Sequence, residues 1–158
     1  MDCQLKNGKV YRDMKKIKVL IVIADFYKDI SDNLLDGAIN FFNINKIDFD
    51  VVRVPGALEI SQTIKFYHES DIGYDGYLAL GCVIKGETYH FELVSNESAS
   101  SLSQLSIQLS IPIGNGILTT YNKEQAILRS NQTDSNKARE AANACLEMIK
   151  IKNTIKSN

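Results

Sequence analysis

Several things are scarce in this chain, and each scarcity excludes something. It has three cysteines, Cys3, Cys82 and Cys145, odd in number and far apart. Small disulfide-stapled scaffolds use dense, even sets, so the spacing argues for small core residues in a reduced, cytosolic protein. Neither charge sign dominates: 18 Lys and Arg against 19 Asp and Glu leave a formal net charge of −1. Nucleic-acid and anionic-membrane binding call for a clustered basic excess. The short basic patches, Lys15–Lys18 and Lys150–Lys156, lie near the termini and read as solvating groups. No apolar stretch approaches the ~20 residues that span a bilayer. Met1–Lys16 lacks the apolar region of a secretory signal and reads as a polar arm.

Chemical signatures are missing too. There is no Gly-x-Ser-x-Gly elbow, and no Gly-x-Gly-x-x-Gly follows the first apolar run, so hydrolase and dinucleotide readings lack their marks. Gly81-x4-Gly86-Glu87-Thr88 nearly matches a triphosphate loop, but Glu87 stands where a lysine must bind phosphate and would repel it. Glu87-x-x-His90 matches half of a di-iron motif without a second copy, and the other histidine is His68. A metal site is not expected.

What remains is an ordinary globular composition, 44% hydrophobic and 23% charged over 158 residues, enough for one domain that buries roughly 70% of its unfolded surface. The domain is expected over 17–150, between a polar arm (1–16) and a polar tail (151–158). β-rich apolar runs at Ile17–Ala24, Phe49–Val54 and Tyr77–Ile84, with a shorter one at Ile113–Thr119 interrupted by Gly114 and Gly116, predict four strands. Between them, Leu35, Ala38, Ile39 and Phe42, then Ala57, Ile60, Ile64 and Tyr67, then Phe91 through Leu109, repeat at helical spacing. Asn122 with Gln125 has the form of a capping box opening a short helix through Arg129. Asp134 or Ser135 caps a last helix with a stripe of Ala138, Ala141, Ala142, Cys145, Met148 and Ile149. Alternating strands and helices with near-continuous apolar strands predict an α/β fold, a small parallel sheet covered on both faces.

The most informative stretch is Leu80 to His90, where a strand buried on both faces breaks at Gly86 and hands over to a helix near Thr88. Ligands of open parallel sheets bind outside the carboxyl ends of the strands, and free helix amides there favour an anion. A histidine in such a corner exchanges protons near neutral pH, although His90 alone is equally readable as an exposed helix residue. Glu59, at a helix start after Pro55-Gly56-Ala57, either complements the dipole or holds a ligand. Phe26, at a strand's carboxyl end, is core or a platform for a planar ligand. Arg129 closes a short helix as a dipole charge or serves as an anion ligand. Lys137 in a first helical turn breaks the dipole rule mildly and hints at a nearby anion. His68, beside Glu69, reads as surface. Seven serines between Ser95 and Ser110 make either a solvated helix face or a face that packs closely against symmetry mates.

Val54-Pro55-Gly56-Ala57-Leu58-Glu59-Ile60, Leu80 through Phe91, and Gly116-Ile117-Leu118-Thr119-Thr120 with Glu124-Gln125-Ala126 and Arg129 together resemble the lumazine synthase family, over about Val19 to Met148. The resemblance implies a flavodoxin-like three-layer α/β/α sandwich with a four-stranded parallel sheet. It implies condensation of 5-amino-6-(D-ribitylamino)uracil with 3,4-dihydroxy-2-butanone 4-phosphate to 6,7-dimethyl-8-ribityllumazine, phosphate and water, without metal or redox cofactor. It also implies pentamers, or multiples of them, with sites between subunits. By resemblance His90 is the acid/base group, and Gly86, Glu87 and Thr88, following Lys85, form the phosphate loop with Arg129 as clamp. Phe26 stacks on the pyrimidine, Ala57, Leu58 and Glu59 hold the ribityl chain, and Val83 and Ile84 meet the uracil edge. Lys137 lies near the substrates; Phe26, Glu59 and His90 come from one subunit, and Asn115 and Arg129 reach across from the next. Three positions depart from the family pattern: Asn115 where phenylalanine is common, Tyr27 in place of asparagine, and Ala138 in place of glycine. Two other classes stay in view: a flavin- or lumazine-binding module without turnover, and a shell-forming protein, which is compatible with catalysis.

Overall fold

The two most apolar runs become the middle of the sheet because parallel strands covered on both faces need apolar side chains in both directions. In the computed structural model these are β3 (Lys18–Ala24) and β5 (Gly76–Ile84), each buried along nearly its whole length. β4 (Asp48–Val54) flanks β3, and β6 (Ile113–Thr120) flanks β5. The order is β4-β3-β5-β6, all parallel, with Ile21 opposite both Val51 and Leu78, and Leu80 opposite Gly116. The structure describes residues 16–156 and, before them, the backbone of a two-stranded antiparallel ladder, β1 (Leu5–Lys6) and β2 (Lys9–Val10). The remainder of the expected polar arm lies outside the described residues.

Helices α1 (Lys28–Ile44), α4 (Lys123–Ser130) and α5 (Lys137–Lys156) cover one face of the sheet, where Leu34, Ala38, Phe42, Ala142, Cys145 and Ile149 pack on Ile21, Ile23, Leu78 and Leu80. Helices α2 (Leu58–His68) and α3 (His90–Leu109) cover the other, where Ile60, Ile64 and Leu102 meet Leu20, Val22 and Ala79. The result is the expected three-layer α/β/α sandwich. No helix among the described residues is long and apolar enough to cross a membrane.

Local corrections have simple causes. Met148 is half exposed and Leu146 takes its place on the buried stripe of α5, which runs through 138, 142, 146 and 149 in steps of four, four and three. α5 also runs on to Lys156, into the segment read as a tail. Gly114 and Gly116 do not interrupt β6. They let α5 lie against it: a Cβ on Gly114 would sit 2.2 Å from the Ala141 carbonyl oxygen. The last helix is capped by neither Asp134 nor Ser135. The Asn136 Oδ1 accepts from the Ala138 amide at 2.9 Å. The capping box on α4 is present, with Gln125 N donating to Asn122 Oδ1 at 2.9 Å, and Gln125 Oε1 accepting from Tyr121 N at 3.0 Å.

Two tests follow from this packing. Gly114→Ala forces a methyl group into helix backbone, and overpacking of this kind costs roughly 1–3 kcal/mol. Urea denaturation should show the loss, and an unchanged midpoint would mean α5 does not press on β6. Burial pushes the Cys82 thiol up to about 11 and the Cys145 thiol up to about 12. At pH 8 only about one Cys82 in a thousand is then thiolate, the nucleophilic form. Iodoacetamide should leave both residues unlabelled in native protein, and peptide mapping that finds rapid alkylation at either would contradict the packing.

Candidate active site

The chain order reverses direction between β3 and β5. From β3 it moves outward to β4, then returns past β3 to β5. Their carboxyl ends therefore diverge, and a cleft opens above the switch point. A cavity of about 440 Å³ occupies it, lined by the turn after β3 (Phe26, Tyr27), the segment after β4 (Gly56 to Glu59), the end of β5 (Cys82 to Ile84), then Gly86, Thr88, and the first turns of α3 (His90, Phe91, Val94).

Each wall has a local cause. Phe26 is 73% exposed, so it is not core; its ring meets Tyr27 edge-on at 5.0 Å between centroids. The turn that carries it is braced from β4: Arg53 donates to Asp25 at 2.5 Å and to Asp32 at 2.9 Å, and Asp25 N donates to the Val54 carbonyl. The residues that precede α2 and α3, Ala57 and Tyr89, make no side-chain cap. Both helices begin at the cavity, so it receives two partial positive charges, a setting for anionic or acceptor-rich groups, although in α2 the Glu59 and Ile60 amides already donate to the Gly56 and Ala57 carbonyls at 3.2 and 3.4 Å. Glu59 lies in the first turn of α2, its carboxylate over Gly56. The Thr88 hydroxyl accepts from the His90 amide at 3.4 Å, a turn that presents the exposed His90 as the first residue of α3.

Of the predicted residues, Phe26, Ala57, Leu58, Glu59, Val83, Ile84, Gly86, Thr88 and His90 thus share one cavity. Lys85 and Glu87 flank the cavity without lining it. The Lys85 ammonium pairs with Glu92 at 3.3 Å and lies over the rings of Phe91 and Tyr121, at 5.9 and 5.6 Å, while its amide donates to Thr120 O. It ties the entry of α3 to the end of β6. Glu87 is exposed.

Asn115, Arg129 and Lys137 are elsewhere. They line a second cavity of about 460 Å³ along the edge strand β6, with Glu140 and the backbone of Gly116 to Thr119. Arg129 donates to the Gln125 carbonyl at 3.2 Å, and Lys137 pairs with Glu140 at 2.8 Å. The anion that Lys137 hinted at is, within this chain, its own helix neighbour. Asn115 turns back on the strand, its Oδ1 accepting from Ile117 N at 3.0 Å. His68 is half-buried rather than on the open surface, with its ring edge-on to Tyr77 at 6.2 Å between centroids.

The first cavity also contains wall residues that pattern reading passed over: Tyr27, Gly56, Cys82, Phe91 and Val94. Val94 was recoverable, since it lies four residues after His90 and so on the same helix face.

Known proteins are similar to this chain in sequence over nearly its whole length. A sequence model of the 6,7-dimethyl-8-ribityllumazine synthase family matches residues 16–153. The 6,7-dimethyl-8-ribityllumazine synthase of Bartonella tribocorum is 51% identical over 144 residues, 91% of this chain and 95% of its own length. That of Bartonella henselae is 52% identical over 139 residues, 87% of this chain and 90% of its own, and 6,7-dimethyl-8-ribityllumazine synthase 1 of Rhizobium meliloti is 46% identical over 143, 88% and 94%. With the fold, the order of the blocks and the match all running the length of the domain, this chain belongs to the 6,7-dimethyl-8-ribityllumazine synthase family.

Proposed function

We propose that this chain makes 6,7-dimethyl-8-ribityllumazine by condensing 5-amino-6-(D-ribitylamino)uracil with 3,4-dihydroxy-2-butanone 4-phosphate, in the cytoplasm, at a site completed by a second copy of itself. The observation that carries the reading is the composition of the switch-point cavity: an exposed aromatic, a carboxylate, two helix starts and a histidine around one volume.

The reaction needs a planar pyrimidine held flat, a polyhydroxy chain held extended, an anion site and a proton carrier. Phe26 supplies the plane. Backbone groups of Val83 and Ile84 meet the uracil edge, and Glu59 with the Ala57–Leu58 backbone accepts and donates to the ribityl hydroxyls. The pyrimidine's 5-amino nitrogen attacks the ketone carbon, and loss of one water gives the imine. A proton then leaves the adjacent carbon as the C–O bond to phosphate breaks. Tautomerisation yields a new ketone, which the ribityl-bearing nitrogen attacks, and a second water departs as the ring closes. His90 moves protons in these steps, a contribution of typically 10²–10⁴ for a positioned acid/base. Gly86 and Thr88, at the entry of α3, receive the departing phosphate on backbone amides and a hydroxyl. Glu87, exposed and outside the lining, leaves them free to do so.

A phosphate dianion also calls for a cation, and among the described residues no arginine or lysine lines the first cavity. Arg129 and Lys137 face a different volume at the β6 edge. A ring of identical subunits, each placing its β6 edge over the next subunit's switch-point cavity, brings the two halves together. A ring of this kind uses heterologous contacts that close, and five copies is the number the family resemblance implies. Small serines on α3 suit a helix that lines such an axis. Arg129 is then the bidentate phosphate clamp, its planar fork matching two phosphate oxygens.

His90→Ala should lower kcat by ~10²-fold or less while analogue affinity changes little; stopped-flow absorbance of lumazine formation reads this directly, and an unchanged kcat would remove His90 from the chemistry. Mixing addresses the shared site. Chains carrying His90→Ala and chains carrying Arg129→Ala, refolded together, should recover part of the activity that neither has alone, because some interfaces pair a wild-type His90 with a wild-type Arg129. Light scattering should report five chains or a multiple. A fully active monomer would overturn the shared site.

A further inference from the structure

We infer that Asn136, a residue outside both cavities, is the positioning residue that sets Arg129 and Lys137 in register with each other; the inference rests on the role proposed above for those two cations. Asn136 is fully buried, rare for a carboxamide unless every polar atom is paired. Each of its side-chain atoms is paired. Nδ2 donates at 3.1 Å to the Ser130 carbonyl, the last residue of α4 and the neighbour of Arg129. The same nitrogen donates at 3.1 Å to the Asn33 carbonyl on α1. Oδ1 accepts at 2.9 Å from the Ala138 amide, in the first turn of α5 and next to Lys137. One planar group thus joins the helix end that carries the arginine, the helix start that carries the lysine, and the helix beneath both.

The arrangement is built from two sides. Gly37 and Asn33 are four residues apart and share a face of α1. A Cβ at Gly37 would lie 2.5–2.6 Å from the Asn136 carboxamide carbon, nitrogen and oxygen, so only glycine leaves room for the amide to lie flat on α1. Gln132 adds a second donor to Asn33 O at 3.2 Å and pins the connection between α4 and α5 to the same point. The connecting segment 131–136 is exposed apart from Asn136 and half-buried Asn131, and the cations themselves make few restraining contacts: Arg129 to Gln125 O, Lys137 to an exposed Glu140. Such an exposed pair restrains little. The relative placement of the two charges therefore depends on the buried amide.

Asn136→Ser isolates this role. A serine hydroxyl still caps α5 by accepting from Ala138 N, but it cannot span to Ser130 O and Asn33 O. In the assembled enzyme, KM for the butanone phosphate and Kd for inorganic phosphate should rise roughly tenfold, displacement by a fraction of an ångström to an ångström being enough, with kcat at saturation and KM for the pyrimidine within about twofold of wild type. Gly37→Ala, which pushes the amide from the opposite side, should shift the same two constants. In an Arg129→Ala background, Asn136→Ser should add little, since residues acting through one another are not additive. Equal rises in both KM values, a full additive effect on Arg129→Ala, wild-type phosphate constants in folded Asn136→Ser, or failure of both variants to fold would each reduce Asn136 to a structural residue and overturn the inference. Should Arg129→Ala itself leave the phosphate constants unchanged, the clamp assignment falls first, a result distinct from an Asn136 variant that fails alone.

Discussion

The parallel pairing of β3 with β5, made while the chain reverses its direction of travel across the sheet, is the constraint on which the rest depends. Parallel strands need crossover helices, and right-handed crossovers put successive helices on a face set by the direction of travel. Travel from β3 to β4 puts α1 on one face; travel back to β5 and on to β6 puts α2 and α3 on the other. At the reversal, no helix start covers the gap between the strand ends. Every helix that follows a strand begins at the same end of the sheet, so α2 and α3 aim the positive ends of their dipoles into that gap. The cavity is not added to the fold; it is where this winding cannot close.

The same winding separates two kinds of chemistry. The central strands end in apolar groups and backbone, which suit a flat heterocycle. Arg129 and Lys137 belong to α4 and α5, which cover the opposite face, packing on β5 as well as β6, and the two cations themselves lie at the β6 edge. A single chain therefore holds a switch-point cavity with no arginine or lysine among the described residues of its wall and a separate cationic edge. On the proposed reading, assembly joins them, and association becomes a condition of phosphate binding rather than an independent property.

Legibility followed burial. β3 and β5 were plain in the sequence because burial on both faces leaves unbroken apolar runs. β4 reads less cleanly, since as an edge it exposes Asp48, Asp50 and Val51. The long apolar residues of α5 were ambiguous at Met148, where one position along the helix separates core from solvent. The cap of α5 was hidden by redundancy: Asp134, Ser135 and Asn136 are all good N-cap residues in a row, and only tertiary contacts from α1 and α4 select the third. Phe26, Glu59 and His90 were recognisable because each directly follows a strand end or opens a helix. That Arg129 falls in another volume was implied only by the family resemblance, which draws Asn115 and Arg129 from the next subunit, and no residue pattern put Lys137 there, because the distance between segments depends on winding.

The start of α5 shows why a sequence rule breaks where function is proposed. A lysine at the first helical position faces the positive end of the dipole, an arrangement that costs about 0.3–1 kcal/mol at an exposed terminus. An asparagine cap is worth about 1 kcal/mol, and Glu140 one turn on returns a few tenths. The cap and the Glu140 pair together outweigh the dipole cost, and the helix forms with its cation in the least favourable place. The dipole alone would favour an acidic or neutral side chain there, so the lysine is carried against that preference, with Glu140 as its partner. Arg129, on the last turn of α4, sits where a cation is favoured and so gave no such signal. Of the two charges at the β6 edge, the misplaced one is the more informative, and the buried amide beside it is what makes the misplacement tolerable.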